Sequence, residues 1–162
     1  MSSTATSPKA RIATIGGKSL ADTPLRKYYE AAVKYEASDL ILRAGQSPRL
    51  RLKGGLKSLD TSPLNAQAME TWIEEGNSPE QWETYITFGS LDIGFDLEMG
   101  DGSNHRFRVN IFRTRGRSAM AARRVDNYIR KFEDLKLPEI MGEVCMKPSG
   151  IVLLAGVTGS GK

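Results

Sequence analysis

The residues best suited to chemistry lie at the C-terminal end of the sequence, where glycines and a lysine have the spacing of a phosphate-binding loop. Gly156, Gly161 and Lys162 form the pattern G-x-x-x-x-G-K. Glycines let successive backbone N–H groups turn toward phosphate oxygens, and the lysine adds positive charge beside the terminal phosphates. The residues predicted to bind nucleotide are Gly156, Val157, Thr158, Gly159, Ser160, Gly161 and Lys162, with Lys162 also a catalytic candidate.

The segment before this loop supports the same interpretation. Residues 151–155 (IVLLA) are an unbroken apolar run, which is typical of a central strand in a parallel sheet. The Ser or Thr that would hold Mg²⁺ in this pattern would follow Lys162. We therefore expect the chain to be a piece of a longer protein that does not hydrolyse ATP by itself. We also expect residues 150–162 to be poorly ordered or differently packed in isolation, because a lone strand leaves its backbone edges unpaired.

Charge is distributed unevenly along the 162 residues, although the net charge is only +4. Residues 66–105 contain nine acids and no Lys or Arg, whereas residues 106–131 contain nine bases and one acid. Such asymmetry indicates a binding face for nucleic acid, a phosphate ligand or an acidic protein surface. One domain with separate acidic and basic solvent faces would give the same pattern.

Composition excludes several other classes of protein and site. The single Cys145 cannot form an intramolecular disulfide and favours a reducing compartment. No apolar run approaches the roughly 20 residues needed to cross a bilayer. The single His105 has no second histidine with which to build a metal site, so no metal-ligating residues are predicted.

Hydrophobic periodicity predicts an antiparallel sheet flanked by helices. Helical stripes cover residues 25–35, 65–75 and 79–86, and residues 138–144 suggest a further helix. Residues 39–44, 50–52 and 56–59 are predicted strands, with Gly54-Gly55 as a hairpin turn. Alternating patterns over residues 91–99 and 105–113, with a returning strand at 117–125 after the Gly116 turn, predict a three-stranded meander. We accordingly expect a disordered tail at 1–24, a sheet domain at 25–126, a linker at 127–147 and the start of a second domain at 148–162.

Three blocks of this sequence resemble the type IV pilus ATPases of the type II/IV secretion ATPase superfamily. Residues 37–45 (ASDLILRAG), with Pro48, are similar to the family's ASDLHL-x-x-G-x-x-P signature. Residues 106–112 (RFRVNIF) are similar to its RFRVN strand, and residues 150–162 to its GLVLVTGPTGSGK loop. Ile41 and Val157 replace the usual His and Pro. The likeness is greatest to the retraction ATPases of twitching motility.

The resemblance implies a fold and an activity. The expected fold is α+β: a PAS-like N-terminal domain, with an antiparallel sheet and helices, followed by the first strand and phosphate loop of a RecA-like α/β ATPase domain. The expected whole protein is a hexamer that hydrolyses ATP with Mg²⁺. It would act at the cytoplasmic face of the inner membrane through a pilus platform protein, with peripheral membrane association through such partners.

The resemblance also implies roles for three arginines of the meander. Arg115 and Arg123 are the candidate arginine sensors of the ATP phosphates, and Arg108 is a supporting phosphate ligand. A guanidinium suits this work because it binds phosphate oxygens through two donors and keeps its charge. Surface or interface salt bridges are the alternative role for each.

Other functions remain open from the sequence. Within the family these are pilus assembly and type II secretion. From other classes they are a non-catalytic PAS-like interaction domain and a nucleic-acid-binding module. We expect no nucleic-acid partner, because the basic sheet lacks interleaved exposed aromatics for stacking bases.

Overall fold

The structure is a computed structural model that describes residues 19–125, 128–129 and 131–157. These residues fall into two compact units, with the division between residues 127 and 128. The division lies within one residue of the predicted end of the sheet domain at 126. The predicted domain boundaries stay predictions.

The first unit alternates short helices with antiparallel strands. Its helices are α1 (Arg26–Lys34), α2 (Ala66–Glu75) and α3 (Pro79–Phe88), preceded by one 3₁₀ turn at Leu20–Asp22. Its strands are β1 (Asp39–Arg43), β2 (Arg49–Leu52), β3 (Gly55–Ser58), β4 (Ser90–Glu98), β5 (Asn104–Thr114) and β6 (Arg117–Val125). The predicted helices and strands of this unit are confirmed to within a few residues at each end.

Local sequence explains where helix α3 begins and ends. The Ser78 hydroxyl accepts a hydrogen bond from the Gln81 backbone N–H, and the Gln81 side chain accepts one from the Ser78 N–H. This reciprocal cap and Pro79 at the first position favour a helix start. The helix ends at Gly89, whose φ of 72° is readily adopted by glycine.

All six strands form one antiparallel sheet in the order β3-β2-β1-β6-β5-β4. The pairing of β1 with β6 joins the N-terminal strands to the meander, with Leu40 opposite Ala122. The predicted α+β class with an antiparallel sheet and helices is confirmed.

The core lies on one face of this sheet, where the three helices pack. Alternate residues of each central strand point into it, as Leu40, Phe107 and Val109 do, all at most 1% exposed. Tyr29 of α1 contacts Phe107 edge to face, with ring centroids 5.1 Å apart. The opposite face, which we call the outer face, carries arginines on four strands. They are Arg43, Arg49, Arg51, Arg106, Arg108, Arg117 and Arg123.

The predicted tail at 1–24 is corrected at its C-terminal end. Residues 1–18 lie outside the described residues, but residues 19–24 are folded. Leu20 is 1% exposed within the core, and the Ser19 hydroxyl caps the 3₁₀ turn by accepting from the Ala21 N–H at 2.9 Å. Burying Leu20 therefore extends the domain beyond the helical stripe that begins at residue 25.

The second unit contains the helix α4 (Ile140–Cys145). Residues 151–157 have neither helix nor strand and are exposed. The strand predicted for residues 151–155 is therefore not formed. A central parallel strand obtains its hydrogen bonds from neighbours on both sides, and the described part of this unit contains no strand that would pair with it. Among the described residues no helix has the length and apolar character to span a bilayer.

Candidate phosphate-binding arginines on the sheet

The register of the sheet brings two of the three predicted arginines side by side. Arg108 of β5 lies directly opposite Arg123 of β6. Arg123 in turn lies opposite Asp39 of β1, and Asp39 lies opposite Arg51 of β2. These four residues form one row across the outer face. We call Arg108 and Arg123 the central pair.

Asp39 lies between Arg123 and Arg51 in this row and holds both guanidiniums. Its carboxylate accepts a hydrogen bond from Arg123 Nε at 2.9 Å and lies 3.2 Å from Arg51 Nε. Partial burial acts to raise the pKa of Asp39, but hydrogen bonds from Arg123 and Ser38 and the charges of Arg123 and Arg51 outweigh it. The pKa of Asp39 therefore lies below its ordinary value, and the carboxylate stays charged beside both guanidiniums.

Arg108 lacks such an anchor. Its side chain is exposed, and within the described residues it forms no ion pair or side-chain hydrogen bond. Like charges directly opposite each other on neighbouring strands are unfavourable, so an anion received between Arg108 and Arg123 would relieve their repulsion. The row can therefore bind a phosphate group with one preoriented guanidinium and one free guanidinium.

The third predicted arginine is elsewhere. Arg115 and Gly116 form the two-residue turn between β5 and β6, with φ values of 51° and 71°. Positive φ at both places is the geometry of a tight hairpin turn. Arg108 lies six residues before Thr114, the last residue of β5, which at about 3.4 Å per residue separates the turn from the central pair by about 20 Å. The structure does not bring Arg115 to Arg123.

The predicted phosphate loop is only partly described. Gly156 and Val157 are exposed and lie outside any helix or strand. Thr158, Gly159, Ser160, Gly161 and Lys162 lie outside the described residues. Their predicted roles therefore stay predictions.

Sequence reasoning missed two residues of the row, Asp39 and Arg51. Both alternate with core residues of their strands, so the sequence places them on the outer face. Only the β1–β6 pairing shows that Asp39 meets Arg123, which is 84 residues away. No group of three or more His, Cys, Asp or Glu suited to a metal ion occurs in the described ranges.

Comparison with known proteins identifies relatives over most of the chain. No protein-family model matches it. The chain is 30% identical over 131 residues to the type IV pilus retraction ATPase PilT of Pseudomonas aeruginosa, covering 81% of this chain and 37% of that protein. It is also 30% identical over 143 residues to the type IV pilus ATPase PilU of the same organism, covering 84% of this chain and 35% of that protein.

A solved structure gives the same result. A crystal structure of the pilus retraction motor PilT with bound ADP superposes with a TM-score of 0.71 at 32% identity, covering 90% of this chain and 40% of that one. The chain thus spans little more than a third of the length of the curated relatives named above. The chain belongs to the type IV pilus ATPase family that includes PilT and PilU.

Proposed function

We propose that the chain is the N-terminal part of a hexameric ATP-hydrolysing motor that drives type IV pilus retraction, the movement behind twitching motility. The relatives that support this are ATPases by name, and one is a retraction motor crystallised with ADP. They match this chain over a third of their length or slightly more, so the activity belongs to a longer protein.

The observation that carries the proposal is the central pair on the outer face. Arg123 is oriented by Asp39, with Nε 2.9 Å from the carboxylate, and its terminal nitrogens remain for another acceptor. Arg108 lies next to it in register and is exposed. Two adjacent guanidiniums, one of them anchored, offset the negative charge that spreads over phosphate oxygens during phosphoryl transfer.

The remaining site residues follow from the phosphate-loop pattern. Residues 156–162 would hold the ATP phosphates through backbone N–H groups and the ammonium of Lys162. The described residues offer no cluster of acids for Mg²⁺. In the proposed motor, Mg²⁺ would accompany ATP. Arg115 is left out of the proposed nucleotide site, because its turn lies about 20 Å from the central pair, and its sensor role stays a prediction that an Arg115→Ala variant tests.

The same proposal includes the architecture and surroundings of the motor. The six-stranded sheet domain would be the PAS-like domain, and residues 148–162 would open a RecA-like ATPase domain. Six copies would form a ring at the cytoplasmic face of the inner membrane, bound to a pilus platform protein and not to nucleic acid. Among the outward positions of the six described strands, Phe112 is the one aromatic residue, which gives little surface for stacking bases.

ATP turnover of the full-length protein tests the role of the central pair. Arg123→Ala should lower kcat by about 10³-fold, the lower end of the range for an arginine that stabilises phosphoryl transfer. Arg124→Ala is the matched control, because it removes the same side chain from the next position of β6, which faces the opposite side of the sheet. Its turnover should stay within about threefold of wild type.

Equal losses in both variants would contradict the phosphate role of Arg123. The direction of pilus movement needs a different assay, namely twitching by a strain whose own retraction ATPase has been deleted. Restoration by the full-length protein is the expected result. Restored piliation without twitching would favour pilus assembly instead, and a secretion defect alone would favour a type II secretion ATPase.

A further inference from the structure

A second group of arginines lines a pocket at the tip of the β5–β6 hairpin. The pocket has a volume of about 340 Å³ and is lined by Arg43, Arg115 and Arg117. Ala44, Gln46, Thr114 and Ser118 complete its wall. We call the three arginines the tip cluster. Among the residues that the structure describes, no acid lines the pocket.

The fold holds the tip cluster together from two distant parts of the chain. Arg43 ends β1 and lies opposite Ala119 of β6, two residues from Arg117. The side chain of Arg117 extends toward the loop after β1. Its Nη1 lies 3.0 Å from the position that a Cβ on Gly45 would occupy. Glycine at this position, with φ of 78°, therefore leaves room for the guanidinium beside the backbone.

Within the described residues, the charges of the tip cluster are not neutralised. In the part of the chain that the structure describes, none of the three guanidiniums forms an ion pair. Glu70, which accepts a hydrogen bond from the lining residue Ser118, already lies 3.4 Å from Arg113. The pocket is thus a concave site with three unpaired positive charges.

We propose that this pocket binds a small phosphate-bearing anion at a site separate from the nucleotide phosphates. One carboxylate has two oxygens, which one or two guanidinium forks saturate. Three forks instead match the larger number of oxygens on a phosphate or a pyrophosphate. The volume lies at the lower end of small-ligand sites, which suits an anion of this size.

This inference does not depend on the proposed motor function. The tip of the hairpin is about 20 Å from the central pair along the strands, so one phosphate group cannot occupy both places. A failure of either assignment leaves the other intact.

Isothermal titration of the 162-residue chain with pyrophosphate, at constant ionic strength, tests the pocket. Arg43→Gln and Arg117→Gln should each weaken pyrophosphate binding by about tenfold or more, because each removes a charge-assisted hydrogen bond. The matched control is Arg124→Gln, which makes the same charge change on β6, seven residues from Arg117. It should leave the affinity within about twofold of wild type. Thermal unfolding of each variant confirms that it is folded.

Three results would overturn the proposal. They are no measurable binding of pyrophosphate to the wild-type chain, equal weakening by all three variants, and binding of citrate as tight as that of pyrophosphate. Equal weakening would indicate general attraction by the basic sheet, and tight citrate binding would indicate a carboxylate ligand. Weakening confined to Arg43→Gln and Arg117→Gln, with citrate bound less tightly, supports a phosphate site.

Discussion

The central pair and the tip cluster lie on the same sheet and use the same side chain, yet the fold positions them in different ways. In the central pair, Arg123 is tied to Asp39 by a hydrogen bond of 2.9 Å, and the neighbouring strand supplies Arg108. In the tip cluster, Arg115 sits in a two-residue turn and no carboxylate pairs with it within the described residues. A carboxylate orients the central pair, whereas strand pairing and the hairpin turn bring the tip cluster together.

Separation along the chain therefore does not predict which arginines of this sheet lie close together. Arg115 and Arg123 are only eight positions apart in sequence. Arg115 nevertheless lies in the turn, whereas Arg123 lies six residues beyond the start of β6. Arg43 and Arg117 are far apart in sequence, but the β1–β6 pairing brings them to one pocket. Strand β1 therefore supports both groups, by supplying Asp39 to one and Arg43 to the other.

The largest expected effect comes from weakening β1, which both groups share. Leu40 is fully buried and lies opposite Leu50 and Ala122. Leu40→Ala should lower the free energy of unfolding by about 2–5 kcal/mol, because it removes buried methyl groups and leaves a cavity. Urea unfolding measures the change. Leu56→Ala, at a position 46% exposed on β3, is the control and should change stability by less than about 0.5 kcal/mol. A small effect at Leu40 would show that β1 is dispensable.

A second experiment separates the two groups by function. In the full-length protein, Arg108→Ala should lower ATP turnover by about 10²-fold, the cost of losing one donor to a charged transition state. Arg115→Ala should change turnover by less than about threefold, because the turn lies about 20 Å from the central pair. Equal losses of turnover in the two variants would mean that both groups bind the same nucleotide. The assignment of the tip cluster to a separate site would then be wrong.

A smaller effect is expected beneath the tip pocket. The Tyr85 hydroxyl lies 2.8 Å from Oγ of the pocket-lining residue Ser118, in a buried contact. Tyr85→Phe should lower the free energy of unfolding by about 1 kcal/mol, the typical net value of one hydrogen bond. Thermal or urea unfolding measures the change.

Tyr29→Phe is the matched control for Tyr85→Phe. Tyr29 is also fully buried, but its hydroxyl has no hydrogen-bond partner within the described residues. Burial raises the pKa of Tyr29, so the hydroxyl stays neutral. Its removal should leave stability unchanged or slightly higher, because an unsatisfied buried hydroxyl carries a desolvation cost. Equal destabilisation by both variants would contradict the hydrogen-bond interpretation.

The smallest expected effect concerns the anchor of the central pair. Asp39→Asn should lower the free energy of unfolding by up to about 1 kcal/mol at pH 7, because Arg123 is 75% exposed and water screens the pair. The pKa of Asp39 is lowered in the folded state, so its contribution is present above the unfolded pKa, near 3.9, and is lost as the pH falls through the lower folded value. Urea unfolding at pH 7 and at pH 2.5 measures both.

The difference between wild type and Asp39→Asn should therefore shrink on acidification. A difference that persists unchanged at pH 2.5 would show that packing, and not charge, accounts for the effect. Asp60→Asn is the control, because Asp60 is exposed on the loop after β3 and forms no ion pair among the described residues. Its stability at pH 7 should equal that of wild type within about 0.5 kcal/mol.

Much of the fold could be predicted, because its elements leave local signals. Alternation of apolar and polar residues predicted β5 to within one residue at each end, since side chains of a strand point to alternate faces. The β1–β6 pairing could not be predicted, because no local pattern records which strands become neighbours. The strand at residues 151–155 was predicted from apolar character alone, but a strand also needs partners that satisfy its backbone hydrogen bonds.

The candidate site divides in the same way. Sequence motifs identified Arg108, Arg115 and Arg123 as phosphate-binding candidates. They gave no reason to place Asp39 beside Arg123, or Arg43 beside Arg117. Those contacts depend on the register between strands that are distant in the chain.

The sequence by itself determined which residues form helices and strands, which face of each strand is apolar, and to which family the chain belongs. These follow from side-chain periodicity and from motifs of a few adjacent residues. Only the tertiary structure decided which arginines act together. Which arginines lie side by side depends on the register between strands that are distant in the chain. That register is set by burying one continuous apolar face of the sheet under three helices.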